Sequence, residues 1–357
     1  MEFTKLSPKL INDFRKKANE NWAVYHIYKE HNGKDLWGLI CSAMDWITVA
    51  IDGIDISLLS GDNSNEASIK MMTFLSCIDV MWEGISQLYR VLYDTGKVPL
   101  KDDRTVFNDK EKTDNEYFKV IRAIFMAHPV NLNNVYGESD KWFASWSGGQ
   151  FSSKNFSVIL YSNIPGKQSV EFPISYSELM NFASRRYSLL SDFMDKIDEI
   201  LSNYNLRWRG IAIPVPDDPT KHIDLLIEEN EKRWENDFIR NRLEYLYKVF
   251  TAEPSSEKNK SILAEYKKVL GKEISEIHRL LQDVDYGHEL KPVQVHIPSG
   301  MGYMYDQLYD GFSGTSTIGI TSFRPIVRDL VDLDEYSLTI SEQCVLIDAA
   351  LWKKSLE

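Results

Sequence analysis

Apolar residues recur at spacings of three and four over most of the chain and alternate in only one region, a pattern that predicts a mainly α protein. Residues 12–29 form a first amphipathic stretch with Phe14, Trp22, Val24, Ile27 and Tyr28 among its apolar members, stopped by His31-Asn32-Gly33. Residues 35–59 are apolar nearly all round in their middle, which predicts a helix central to a bundle. A turn at Ser60-Gly61-Asp62-Asn63-Ser64-Asn65 leads to a third long helix over 66–93. After a charged segment, residues 114–128 predict a short helix. Asp114 or Asn115 can cap it, Glu116 suits its dipole, and Pro129 bars continuation. Tyr117, Ile121 and Ile124 share one stripe with Phe118 and Phe125 beside it, so most of this helix should be buried.

The alternating region is 155–161, joined by the turn at Asn163-Ile164-Pro165-Gly166 to 168–174, and it reads as a hairpin. Residues 135–150, with Trp142, Trp146 and Gly148-Gly149, read as a loop before it whose indoles could stack on bases or cover a core edge. A long helix follows over 177–204, and then three prolines between Ile211 and Pro219 mark a boundary. Beyond it lie two charge-rich helices over 222–250 and 257–284, a short strand at 293–298, a glycine- and aromatic-rich stretch over 299–319 and a closing helix over 341–356. The expected architecture is a helical bundle with an inserted β-hairpin over 1–210. A mixed, mostly helical C-terminal region follows over 222–357 as a regulatory or recognition domain.

Composition permits a real core, since 43% of the 357 residues are hydrophobic and 12% aromatic. The formal net charge of −12 disfavours loose binding of nucleic acid, so any RNA site needs a local basic pocket. Cys41, Cys77 and Cys344 stand far apart and read as reduced thiols, and the histidines lack metal-ligand spacing, so neither metal nor cofactor is expected. The start of the chain lacks an export pattern, and no uncharged apolar run approaches the ~20 residues of a membrane span. A cytoplasmic protein without a membrane partner is the expectation.

Candidate chemistry lies at the end of the 114–128 helix. Arg122 and His128 would stand roughly 120° apart on an ideal helix, but the residue before a proline is pushed out of the α region, which lets His128 swing toward the arginine. An imidazole can move a proton to or from a ribose oxygen, a guanidinium can hold the phosphate, and Asn131 or Asn133 can orient either group. Asp45 and Asp52 on one helix, and Asp79 and Glu83 on the next, are acids in apolar surroundings that could hold Arg122 or His128 in place. Arg185 and Arg186, with Arg207, Trp208 and Arg209, are the best basic and aromatic clusters for tracking RNA phosphates.

The motif Arg122-Ala-Ile-Phe-Met-Ala-His128, after three long helical patterns, resembles that of the HEPN family of helical ribonucleases over about residues 10–205. The resemblance implies a metal-independent endoribonuclease acting through 2′-hydroxyl attack, with Arg122 and His128 catalytic in a site built by two chains. It also implies a homodimer or larger assembly and a role in abortive infection or a toxin–antitoxin pair, with an antitoxin or sensor protein as partner. Many members carry a polar residue after the arginine, where this chain has Ala123. The rival reading is a non-catalytic helical module that binds a partner protein or nucleotide and uses Arg122 and His128 as structure.

Overall fold

Two helices too apolar to hide on a single face organise the first part of the chain: α3 (Trp37–Gly53) and α4 (Ser64–Leu92). The computed structural model describes residues 5–20, 22–59, 63–107, 109, 111–133, 140–146, 155–285, 287–312 and 316–356. The described residues are mainly α-helical with one small antiparallel sheet, and they divide into two compact units, Met1–Leu201 and Ser202–Glu357.

In the first unit α3 and α4 approach closely at Gly84, where a Cβ would lie 2.8 Å from Ile47 Cγ1. The first amphipathic stretch is two helices, α1 (Lys9–Glu20) and α2 (Trp22–Tyr28), which bury Ile11, Phe14, Val24 and Tyr28. The pattern over 35–59 likewise ends its α-helix at Gly53, and a 3-10 turn (Ile56–Leu59) completes it. Helix α5 (Asp114–Arg122) begins one residue earlier than its candidate caps suggested. Thr113 is the N-cap in a reciprocal box with Glu116, while Asp114 is buried and accepts from the backbone N–H groups of Thr105, Val106 and Phe107. One carboxylate thereby folds the preceding segment onto the start of α5.

The inserted β-element is larger than a hairpin. Strands β1 (Leu132–Asn133), β2 (Lys141–Ser145), β3 (Asn155–Ser162) and β4 (Val170–Ser175) form an antiparallel sheet in that order. β3 and β4 pair as the alternation predicts, with Phe156 opposite Ile174 and Val158 opposite Phe172. The region read as a loop supplies β2, with Trp142 buried against Ser162 of β3. A two-stranded hairpin is marginal by itself, and β2 covers the edge that β3 would leave open. Trp146 joins Phe125 and Phe156 in an aromatic cluster, and Gly148-Gly149 lie outside the described residues.

The helical pattern that follows breaks at Ser188 into α6 (Tyr176–Tyr187) and α7 (Leu189–Arg209), whose residues from Ser202 on belong to the second unit. The Tyr187 hydroxyl accepts from the Ile11 N–H (3.0 Å) and donates to the Ser7 carbonyl (2.8 Å), which binds the N-terminal segment to α6.

The second unit holds the proline-rich stretch in place rather than leaving it as a linker. Ile213 is buried with its N–H on Gln282, and Arg233 donates to the Ile211 carbonyl (2.8 Å). The pattern over 222–250 is split into α8 (Pro219–Arg233) and α9 (Asp237–Thr251), because the fully buried Asn230 bonds the backbone of Asn236 and stitches a turn between them. Helix α13 (Ile340–Lys354), buried continuously from Cys344 to Trp352, packs against α10 (Glu257–Asp283) and carries α11 (Gly302–Phe312) and α12 (Ile318–Val327), while α8 and α9 also pack on α10. Residues 293–298 form no strand; the His296 N–H donates to the Leu351 carbonyl instead (3.2 Å).

Candidate functional site

Helix α5 does not run on as an α-helix to His128. After Arg122 the chain widens into a single π turn (Ala123–Ala127), closed by the His128 N–H on the Ala123 carbonyl (3.0 Å). The following proline excludes His128 from the α region, and its φ of −141° turns the chain away from the helix axis. Pro129 then accepts from the Ala144 N–H in β2 (2.7 Å), and the Asn131 N–H returns to the His128 carbonyl (2.9 Å). Single π turns of this kind occur often at functional sites.

Arg122 points to α4, where its Nη1 donates to both carboxylate oxygens of Asp79 at 2.6 Å. Both side chains are about one-third exposed, so the pair fixes orientation more than it adds stability. His128 and Asn131 are exposed, and neither side chain has a hydrogen-bond partner among the described residues. No hydrogen bond joins Arg122 to His128 among those residues; the proline frees the histidine without carrying it onto the guanidinium. Of the other acids, Asp45 pairs with Arg15 (2.9 Å), Asp52 is exposed, and Glu83 accepts from Gln87 (2.6 Å).

The basic clusters separate by burial. Arg185 is half exposed and paired with Asp103 (3.1 Å). Arg186 is fully buried and leaves the candidate RNA rim: its guanidinium sits 3.4 Å from the Phe182 ring centroid and 4.8 Å from that of Trp82, and donates to Asn115 Oδ1 at 2.6 Å. Burial pushes its pKa down to about 9 against the pull of Asp114 and Asp103, which leaves it charged at neutral pH. Asp103 in turn stays below the usual carboxylate range, because the Thr105 hydroxyl and the two arginines outweigh its burial. Arg186→Ala, which opens a cavity and strands Asn115, is expected to lower the unfolding free energy by about 3 kcal/mol, read by urea denaturation; an unchanged midpoint would refute this structural role. In the second unit Trp208 is half buried between Arg207 and Arg233, and Arg209 donates to the Asp283 carbonyl (2.7 Å), while Arg207 itself is exposed.

Two groupings were not read from the sequence. The first is a cleft of about 600 Å³ between α4, the 93–113 segment and α5, whose wall includes Arg122, Arg90, Lys97, Lys101 and Lys119. The signal for it was the lysine spacing in Lys97-Val98-Pro99-Leu100-Lys101 together with Lys119 three residues before Arg122. The second is a polar network in the core of the second unit. Asp348 on α13 is fully buried and accepts from the Tyr245 hydroxyl (2.8 Å), which also meets Tyr266 (2.9 Å). Among the described residues its other oxygen, Oδ1, accepts no hydrogen bond of good geometry, although the Tyr305 hydroxyl is near enough to interact with the carboxylate and Tyr309 adds its charge. A single acid inside the apolar run from Val345 to Leu351 was the available clue.

Among the described residues no cluster of three or more metal-ligating side chains occurs, and no helix is long and apolar enough to cross a membrane. No family model matches the chain, and no curated protein or solved structure matches it.

Proposed function

We propose that this chain is a cytoplasmic endoribonuclease of the HEPN type that cleaves RNA through its own 2′-hydroxyl, with His128 and Arg122 as catalytic residues and Asn131 orienting the substrate. The supporting observation is the π turn that leaves His128 exposed, with an imidazole that makes no hydrogen bond among the described residues. A histidine kept for structure would spend its ring nitrogens on the fold.

In the proposed step the His128 imidazole takes the proton of the 2′-hydroxyl, and the 2′-oxygen attacks the adjacent phosphorus. The bond to the 5′-oxygen breaks, and that oxygen leaves with a proton from the imidazole of a second copy. The products are a 2′,3′-cyclic phosphate and a free 5′-hydroxyl. Arg122, oriented by Asp79, faces the negative charge that builds on the phosphate oxygens. Two copies suit a guanidinium and an imidazole that share no hydrogen bond within one chain among the described residues, and an antitoxin or sensor protein would hold such an activity in check.

A non-catalytic binding module is the second reading, favoured by the bidentate hold of Asp79 on Arg122 and by Ala123 after it. Incubation of the purified chain with mixed RNA in EDTA, with end-group analysis, separates the two. Cyclic phosphate ends are expected from the nuclease. Intact RNA at every protein concentration that supports self-association would favour the module.

A further inference from the structure

Two histidines 56 residues apart in the chain meet inside the second unit. His222 lies in the first turn of α8 and His278 near the end of α10, and His222 Nε2 stands 3.0 Å from His278 Nδ1 with the rings inclined at 64°. His222 is buried and His278 half-buried, and neither ring makes another hydrogen bond among the described residues. An uncharged pair of this kind shares one proton: one ring N–H donates and the facing nitrogen accepts. The far end of α8 is held by different bonds. There Arg233 donates to the Trp208 carbonyl (2.9 Å), the Ile211 carbonyl (2.8 Å) and the Glu229 carboxylate (2.6 Å).

The number of protons on the pair decides whether this contact holds. One added proton preserves it, because a protonated ring can still donate to a neutral one. A second makes both facing nitrogens donors and sets two like charges 3.0 Å apart. Among the described residues no carboxylate acts on either ring to offset them; Arg233, a further cation, acts on His278. On α8, Asp218 caps the helix at Thr220, Glu229 holds Arg233, and Lys221 and Asp224 are exposed, while on α10 Glu276 holds Arg279. From the helices packed on α10, Arg242 of α9 holds Glu273 and Lys353 of α13 holds Glu265. Burial lowers both imidazoles below the ordinary value of 6.5, His278 adding to the shift of His222 and Arg233 to that of His278. A histidine lowered in this way stabilises the fold fully above 6.5, and the contribution is lost as the pH falls below that value.

We propose that His222 and His278 form a proton-operated latch, closed at neutral pH, whose double protonation loosens the first turns of α8 from α10 while Arg233 keeps the far end of α8 in place. Those turns carry Ile223 and Leu226, which are fully buried when the latch is closed, so opening brings an apolar face to water at acid pH. The latch lies in the second unit and is independent of Arg122 and His128.

Hydrogen exchange of the full chain, read by mass spectrometry at about pH 7.5 and about pH 4.5 and corrected for the intrinsic pH dependence of amide exchange, tests this. Protection of residues 219–227 is expected to fall more than about tenfold at the lower pH, the equivalent of one unit of proton linkage, while residues 228–233 lose less. His278→Asn places an uncharged amide where Nδ1 stands, and His222→Gln does the same for Nε2. In either variant two charges can no longer face each other, and the acid loss is expected to shrink to less than about threefold. Asp218→Asn keeps the helix cap without a titratable group and should respond to acid as the wild type does. Asp348, which titrates in the same interval, is present in all of these proteins. Circular dichroism at neutral pH checks that the variants fold, either histidine variant suffices, and the wild-type profile is itself a test. Unchanged wild-type protection of 219–227 at the lower pH, an equal loss along the whole of α8, an undiminished loss in a folded His278→Asn or His222→Gln protein, or loss of the acid response in Asp218→Asn would each overturn the proposal.

Discussion

His128→Ala is expected to cut RNA slower than the wild type by about 10² or more, the usual scale for removing a positioned general acid or base. The variant should fold normally, because the imidazole is exposed and supports no hydrogen bond among the described residues. Arg122→Ala is expected to lose about as much activity, through the phosphate oxygens it no longer faces. It also unpairs Asp79, but that carboxylate is one-third exposed and can be solvated, so the fold should tolerate the change. Mixing the two variants is informative when the site is built by two chains, since one copy then supplies the arginine and the other the histidine. Measured initial rates of cyclic-phosphate formation decide the matter, and a His128→Ala protein as active as the wild type would remove the imidazole from the mechanism.

Asp348→Asn is expected to change how the second unit responds to pH. Burial pushes the Asp348 carboxyl up to about 6, against the lowering influence of the Tyr245 and Tyr305 hydroxyls and the Arg242 guanidinium. A carboxyl raised above its unfolded value of 3.8 favours the fold most when protonated, so its stabilising contribution is fully present below that value and is lost as pH rises through about 6. A difference of this size corresponds to about 3 kcal/mol between acid and neutral conditions. A proton on Oδ1 would also serve the oxygen that otherwise lacks a partner, with the Tyr305 hydroxyl close by to accept it. Asparagine keeps the shape and cannot ionise. Relative to the wild type, Asp348→Asn should therefore gain about 2.5 kcal/mol of unfolding free energy on going from about pH 4 to about pH 8, measured by urea denaturation. Parallel stability curves for the two proteins would show that Asp348 does not titrate in this interval.

The mainly α class, the long helices and the β3–β4 hairpin were legible because they rest on local rules. A period of three to four or of two identifies the element, and Pro129 and the turn at Asn163 to Gly166 identify its end. What misled was also local. Asp114 looked like a helix cap, but it is drawn back to the amides of Thr105 to Phe107, and Thr113 caps α5 in its place. Arg186 looked like a surface cation, but the path of α6 places it between Trp82 and Phe182, where its aliphatic length and flat guanidinium fill the core. Strand β2 carried too few residues to announce a period, and it exists because β3 offers it hydrogen bonds.

The sequence by itself determined the mainly α class, the β3–β4 hairpin, the departure from helix at His128 and the chemistry that Arg122 and His128 can offer, because periodicity and the restriction before proline act over a few residues. The tertiary structure alone decided what each charge faces: Asp79 on Arg122, solvent on His128, basic and acidic side chains gathered around one cleft and a buried carboxyl among tyrosines. Those environments depend on residues that are distant in the chain, and the field at a side chain is the sum over neighbours that only packing brings together.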